Sequence, residues 1–474
     1  MAKGLNLLTF MVVCLNVVNS SSAVSSVPSS AELVPPPNPY APKSFWPEGH
    51  GIYCQQNTEA PGPVATDKLV VDLVKFEQPG FTPTGTILSA PFKDGKSVFW
   101  GTNGLVIYKG ITSKNSLNVV IANKQTLNYN RATGYWVMDK DNVAYFMDTK
   151  AREIIALSSA APDVPESPII LLRKFKVPAL FWGRWPNVFL GMKLLYDGNL
   201  VFATRQGSIG VLSRDFKKFT YKKLNEQISN SFAVDEKMNF YVTSKSTLYK
   251  FHWTGSSIEE RWQVPINGSG STPTLIGSDN GDRLIAITDK SSPMNLVLIW
   301  RDEIPSNWRG LANLDKRIAA AEPITFGQQN TEDIVPTENS LLAFGYGLAV
   351  SKWSGFFPAL KMMKPGVEKF EWLPKEQKLV VRWVNKNIYI PNSMMGLSQS
   401  SNLIYAVGLR RERLRNFWTL EAFSWTTGKS SFYKTLGFGS NRVFNNIGSG
   451  IQIGPNRQII TMSPLGVFQV RPEN

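Results

Sequence analysis

The sequence predicts an all-β fold: a single β-propeller of seven or eight four-stranded blades, closed by an N-terminal strand that completes the last blade. Three observations predict it. From residue 67 onward, β-branched and aromatic runs follow one another, separated by Gly, Asn, Asp and Ser turns, which is strand chemistry. The strand–turn–strand pattern recurs about eight times at intervals of roughly 40–60 residues, the period of a blade. The last repeat, 451–470, stops after three strands, while 69–76 reads as a strand with no repeat of its own. A ring of small sheets packed face to face buries surfaces that one sheet alone leaves wet.

Taken in order, the first residues read as an address. Met1-Ala2-Lys3-Gly4 is a charged start, 5–18 is mostly apolar, and Ser21-Ser22-Ala23 offers small residues for a cut after Ala23. This is the layout of a secretory signal peptide over 1–23. The apolar run is shorter than the about 20 residues that span a bilayer. A secreted location is expected, with Asn267-Gly268-Ser269 as a glycosylation sequon. Residues 24–44 are rich in Ser and Pro and are expected to form an extended linker that packs little core. The propeller domain is then expected over 45–474. Cleavage would remove Cys14 and leave Cys54, so the domain must hold without an internal disulfide. His50 stands four residues before Cys54. No third orienting group is evident, and the thiol reads as incidental to the loop leading into the ring.

The repeats come next. One starts near Leu88 and runs through 104–108. Others are 137–146 with 154–157, 194–203 with 207–212, and 232–241 with 247–250. Further copies start near Thr274, Ser340, Gly396 and Gly450. Polar turns such as Asp197-Gly198-Asn199 join first and second strands, as Asx turns do. Helical periodicity is almost absent, and 311–321 is the one candidate helix.

Ala422-Phe423-Ser424-Trp425-Thr426-Thr427-Gly428-Lys429-Ser430-Ser431-Phe432 resembles the tryptophan-docking motif of quinoprotein-alcohol-dehydrogenase-like propellers, A-x-D-x-x-T-G-x-x-x-W. Ser424 replaces the Asp and Phe432 the Trp. Stretches such as 228–235, 268–277, 287–289 and 338–341 are similar to uncharacterised secreted propeller proteins of microbes. The resemblance implies the fold and docking between blades, and no established activity. In the alcohol-dehydrogenase type, adjacent cysteines close over pyrroloquinoline quinone. This chain has no adjacent cysteines, so a bound quinone is not expected.

In a propeller, the residues leading into each innermost strand sit at the channel mouth. Here they carry Asn187, Asn230, Asn339, Asn392, Asn445 and Asn446, with neighbouring Ser residues and Glu338. Such a ring suits a small polar molecule or glycan, and its oxygens suit Ca²⁺. The same residue types also cap turns by bonding their own backbone, and recurrence does not separate the two roles. With so little histidine, acid–base work would fall to a carboxylate, Glu338 or Asp289.

Composition narrows the function classes. The chain has 51 Lys and Arg against 36 Asp and Glu, a net charge of +15, and two histidines. His50 and His252 alone exclude three-histidine zinc centres. No nucleophile motif, phosphate loop or dinucleotide fingerprint is present. A ligand-binding propeller is therefore expected ahead of an enzyme of lyase, isomerase or hydrolase type. The basic clusters 172–176, 216–223 and 409–415 are expected on solvated outer strands, where lysines discourage edge pairing. A secreted monomer without nucleic-acid partner or membrane span follows. The 14 tryptophans are expected to fill the interfaces between blades.

Overall fold

The computed structural model describes residues 34–473, apart from 78–79, 81–86, 122–134, 184–185, 278–280, 332–333, 335, 355–364, 413–414 and 447–448. The predicted signal peptide, 1–23, lies outside the described residues.

Eight antiparallel sheets form the ring. In chain order, blades 1 to 7 span 97–121, 137–176, 189–223, 233–265, 274–323, 342–385 and 396–438. Blade 8 is built from 452–472 and the N-terminal strand Leu69–Lys75. Each chain passage runs from the innermost strand to the outermost, as in Ala233–Val234, Asn239–Thr243, Thr247–Trp253 and Ile258–Pro265 of blade 4. In blade 1 the innermost strand is reduced to one bridge, Leu88 to Phe99. The three inner strands are almost wholly buried, while outermost strands such as Ile169–Lys176 alternate half-buried and exposed residues.

A repeated side-chain device sets the turn between first and second strands. Asp235 Oδ1 accepts the backbone N–H groups of Lys237 and Asn239, both at 3.0 Å, and Oδ2 accepts the Tyr241 hydroxyl at 2.7 Å. Asp139 does the same for Asp141, Val143 and Tyr145. In blades 2 and 4 an Asx turn therefore starts the hairpin and pins a core tyrosine six residues on.

Blades are docked on one another by aromatic and lysine side chains. The Trp383 indole on blade 6 donates to Trp425 O at 2.9 Å in the expected docking segment of blade 7. Gly428 has φ 70°, and a Cβ there would lie 2.5 Å from the Trp383 ring, so only glycine fits this close approach. Phe432 packs with the cluster that includes the core of blade 8. Trp372 and Trp300 meet edge to face across blades 6 and 5, with ring centroids 5.7 Å apart. Lys109 of blade 1 donates to Ser159 Oγ and Ser167 O of blade 2 at 2.8 and 2.7 Å. Burial pulls its ammonium down to about 8. Lys250 reaches Asp302, and Lys369 reaches Trp425 O, in the same way.

Ring closure is as the sequence predicts. Leu69–Lys75 pairs antiparallel with Gly466–Pro472, from Leu69 opposite Pro472 to Lys75 opposite Gly466. Arg471 Nε bonds Asp72 at 2.8 Å across this seam. The ring has eight blades.

Three expectations are corrected. Residues 311–321 do not form a helix: 311–317 are turns, and Ile318–Pro323 is the outermost strand of blade 5. Leu311, Leu314, Ile318 and Ala321 mimic helical spacing, but pairing with Asn295–Ile299 wins. The described part of the basic cluster 409–415 is not an outer strand. It belongs to the second and third strands of blade 7, Leu403–Glu412 and Arg415–Ser424, which are twice the length of their counterparts in blade 3, Leu200–Thr204 and Ser208–Leu212. There Arg410 holds Glu421 through both carboxylate oxygens at 2.7 and 2.8 Å. The described part of the expected linker, 34–44, lies against the ring. Asn38 Nδ2 donates to Leu194 O at 3.0 Å, and Tyr196 donates to Pro36 O at 2.6 Å.

Candidate functional site: the plugged channel

The antiparallel order of the strands puts two sets of loops on one face. The loops leading into the innermost strands and the turns joining second to third strands lie there, and this is the upper face. Turns joining first to second strands lie on the lower face.

The channel is filled by residues 46–58. Trp46 O accepts from Leu88 N of blade 1, and the His50 ring meets Tyr135, beside blade 2, with centroids 4.2 Å apart. Glu48 pairs with Lys193 of blade 3 at 3.5 Å, both side chains buried. Tyr53 donates to Glu236, and Cys54 Sγ lies 3.8 Å from Phe232 O, both of blade 4. Gln55 Nε2 donates to Leu275 O of blade 5 at 2.8 Å, and Asn57 to Ala343 O of blade 6. Asn57–Thr58 then forms a two-residue parallel strand on Leu397 and Ser398 of blade 7. Gln56 faces Gly450, at the start of blade 8. Thirteen consecutive residues thus touch every blade, which is possible only along the ring axis. The positive φ of Gly51, Tyr53, Cys54 and Gln56 coils this segment tightly enough to do so. The Tyr53 ring is covered by the Arg301 guanidinium, 5.1 Å from its centroid.

The expected mouth residues fall into different environments. Asn187 is fully buried and committed: it donates to Trp182 O and accepts from Val188 N and Gln206 N. Asn230 bridges its own loop to Gly270 O in the next one. Asn339 donates to Ser351 Oγ at 3.2 Å. Asn392, Asn445 and Asn446 are buried on blades 7 and 8, and Asn446 Nδ2 donates to Thr461. The Asp289 carboxylate is spent on a turn, accepting from the backbone and side chains of Ser291 and Asn295. Asn267 is exposed, its amide donating to Ser291 at 2.9 Å.

Glu338 is different. It is half-buried at the mouth, 3.6 Å from Lys290 Nζ. Burial pushes its carboxyl up, partly offset by Lys290 and Arg205. Tyr135 sits near enough to feel Glu338 and Cys54. Burial first, then those two groups, push its phenol up to about 12. Below them His50 is buried with neither ring nitrogen bonded, and burial holds its imidazole well below the usual range. Burial raises the Cys54 thiol, with Lys193 opposing.

Several other buried polar atoms here have no hydrogen-bond partner among the described residues. They are both amide atoms of Gln56 and of Gln452, Asn446 Oδ1 and Ser449 Oγ. The amides of Gln56 and Gln452 converge on Gly450. Sequence reasoning missed this group, because Gln452 sits within a strand and Gln56 in what reads as a leading loop. The one available signal was the unusually polar run Gln55-Gln56-Asn57 beside Gly49-His50-Gly51. Among the described residues, no three of His, Cys, Asp and Glu gather as a metal cluster. No helix there is long and apolar enough to cross a membrane.

Glu226 lies in the loop between blades 3 and 4, also on the upper face. Hydrogen bonds, first from the Ser246 hydroxyl and then from Ser244, Ser246 N–H and Thr247, hold its carboxyl down at about 2. A carboxylate lowered on folding stabilises above its unfolded value of 4.5, and this is lost as pH falls toward 2. Glu226→Gln is therefore expected to flatten the stability profile between pH 4.5 and about 2, read by urea midpoints. Parallel profiles for wild type and variant would contradict this.

No protein-family profile matches the chain. An uncharacterized protein of Archaeoglobus fulgidus is 30% identical over 483 aligned positions, covering 94% of this chain and 90% of that one. Among solved structures, the quinohemoprotein alcohol dehydrogenase of Comamonas testosteroni aligns with a TM-score of 0.55 at 11% identity, over 92% of this chain and 82% of that one. A europium-containing methanol dehydrogenase aligns with 0.53 at 9% identity, over 90% of each. Chaetomium thermophilum Sqt1, bound to the N-terminus of ribosomal protein L10, aligns with 0.50 at 11%, over 84% of this chain and 97% of that one. At such identities the likeness is one of fold, and the fold serves both enzymes and binding proteins.

Proposed function

We propose a function for a chain that belongs to one family with the uncharacterized Archaeoglobus fulgidus protein: it binds a small polar ligand at the channel mouth, above the plug. The observation that carries this reading is the set of buried, unpartnered polar atoms on Gln56, Gln452, Asn446, Ser449 and His50. Buried polar groups are bonded in the great majority of cases, so an orphan set calls for a partner from outside the chain. The set is made of neutral amides, a hydroxyl and a neutral imidazole. That chemistry suits a hydroxyl-rich molecule such as a monosaccharide or short glycan.

The test is a thermal-shift panel of monosaccharides, disaccharides, polyols and dicarboxylates. At least one class is expected to raise the melting temperature. Gln452→Leu and Glu338→Ala are expected to remove that shift while leaving the unliganded midpoint nearly unchanged, since Gln452 loses no bond. A shift that persists in both variants, or no shift with any compound, would overturn the reading.

A second reading makes the same mouth catalytic, of lyase, isomerase or hydrolase type. It is favoured by the raised Glu338 carboxyl beside Lys290 and Tyr135, a setting suited to general acid–base work. Calcium belongs to this reading. Stoichiometric calcium in purified protein, by elemental analysis, would support it, and its absence would count against a calcium-assisted route.

Secretion is part of the proposal. Protein exported from an expression host is expected to begin at Val24, by N-terminal sequencing. A retained Met1 in exported material would sink that part.

A further inference from the structure

The lower face carries a cavity of about 650 Å³ that the channel mouth does not share. Its roof is the proline-rich strap 34–47, including Pro37 and Phe45. Ile52 of the plug contributes to its floor, and Leu88 of blade 1 and Pro455 of blade 8 to its walls. A volume of this size lies within the range of small-molecule sites.

The chemistry of the lining is one-sided. The polar groups that reach it are committed to the protein. Asn57 donates to Gln55 and Ala343 and accepts from Gln399 at 2.9 Å. Ser44 donates to Leu88 O at 2.6 Å, and Thr58 Oγ1 accepts from Ala60 N at 3.2 Å. The two charges on the lining, Lys43 and Glu59, are exposed and of opposite sign. The lining is predominantly apolar, and the polar side chains named above are already bonded within the protein. The surface gains instead by shedding water from an apolar wall. Prolines fix the strap's backbone, so little ordering entropy is lost on binding.

We propose that this cavity is a second ligand site, and that it takes a neutral, largely apolar small molecule. The strap does not tie down a linker but roofs a pocket. The site stands apart from the channel mouth, on the opposite face and with the plug between them. Binding at one is therefore independent of the reading given for the other.

The probe is Nile red, a neutral apolar dye, titrated into the full chain. Saturable one-to-one binding with a fluorescence increase is expected. Phe45→Glu on the strap and Pro455→Glu on the ring should each weaken it at least tenfold. Both residues are at least partly exposed, so the fold should survive, and the two lie on different walls should one variant fail. Leu180→Glu, at a residue 74% exposed elsewhere on the ring, should bind as wild type does. Absence of saturable binding, or unchanged affinity in both cavity variants, would overturn the proposal. So would binding seen only in a chain starting at residue 34, because the occupant would then be the protein's own N-terminal segment.

Discussion

Deletion of residues 68–76 is expected to destabilise the whole ring by roughly 5 kcal/mol or more, on the scale of apolar side-chain burial. The deleted strand brings Leu69, Val71, Leu73, Val74 and Phe76 into the cluster that also holds the core of blade 8. It also carries the antiparallel ladder to Gly466–Pro472 and the Asp72–Arg471 ion pair. Without it, Gly466–Pro472 becomes an exposed edge of buried character, open to pairing with another chain. The urea midpoint should fall sharply, with aggregation on heating. An unchanged midpoint would show that the seam contributes nothing, and the closure would have to be sought elsewhere.

The second large effect is expected at the plug. Lys193→Met leaves Glu48 buried without its partner, which costs about 3–5 kcal/mol in comparable interiors. Burial already pushes the Glu48 carboxyl up, and Lys193 offsets only part of that. Adding Glu48→Leu to Lys193→Met should recover most of the loss, since well-packed apolar pairs replace buried ion pairs at little cost. Cys54 supplies a direct readout, because it is 1% exposed when the plug is seated. Its reaction with an aromatic disulfide reagent should be slow in wild type and at least tenfold faster in Lys193→Met. A single variant as stable and unreactive as wild type would remove the pair from any role in seating the plug.

Much of the fold was legible because it is written in short-range chemistry. Asp139, Asp197 and Asp235 open hairpins through bonds to residues two to four positions away, and such turns can be read from a local window. The closing strand 69–76 could be recognised as an outermost strand without a blade. The helix expected at 311–321 failed because spacing alone cannot weigh the pairing with Asn295–Ile299. The length of the blade 7 strands escaped notice because the basic run 409–415 looks like a solvated edge. The mouth was located by residue type, and its members proved unequal. Asn187 and Asp289 have every oxygen engaged by nearby groups. Glu338 remains available at the rim. The plug was not legible, since nothing local to 46–58 records that its partners are drawn from eight blades.

The plug also has a bearing on the order of synthesis. Residues 46–75 are made early, yet they can find their final places only when the chain has been extended to blade 8. Lys75 must wait for Gly466, and Leu69 for Pro472. Contacts of such separation close slowly. The nascent chain therefore spends its elongation without a sealed ring, and its first segment is among the last to be seated.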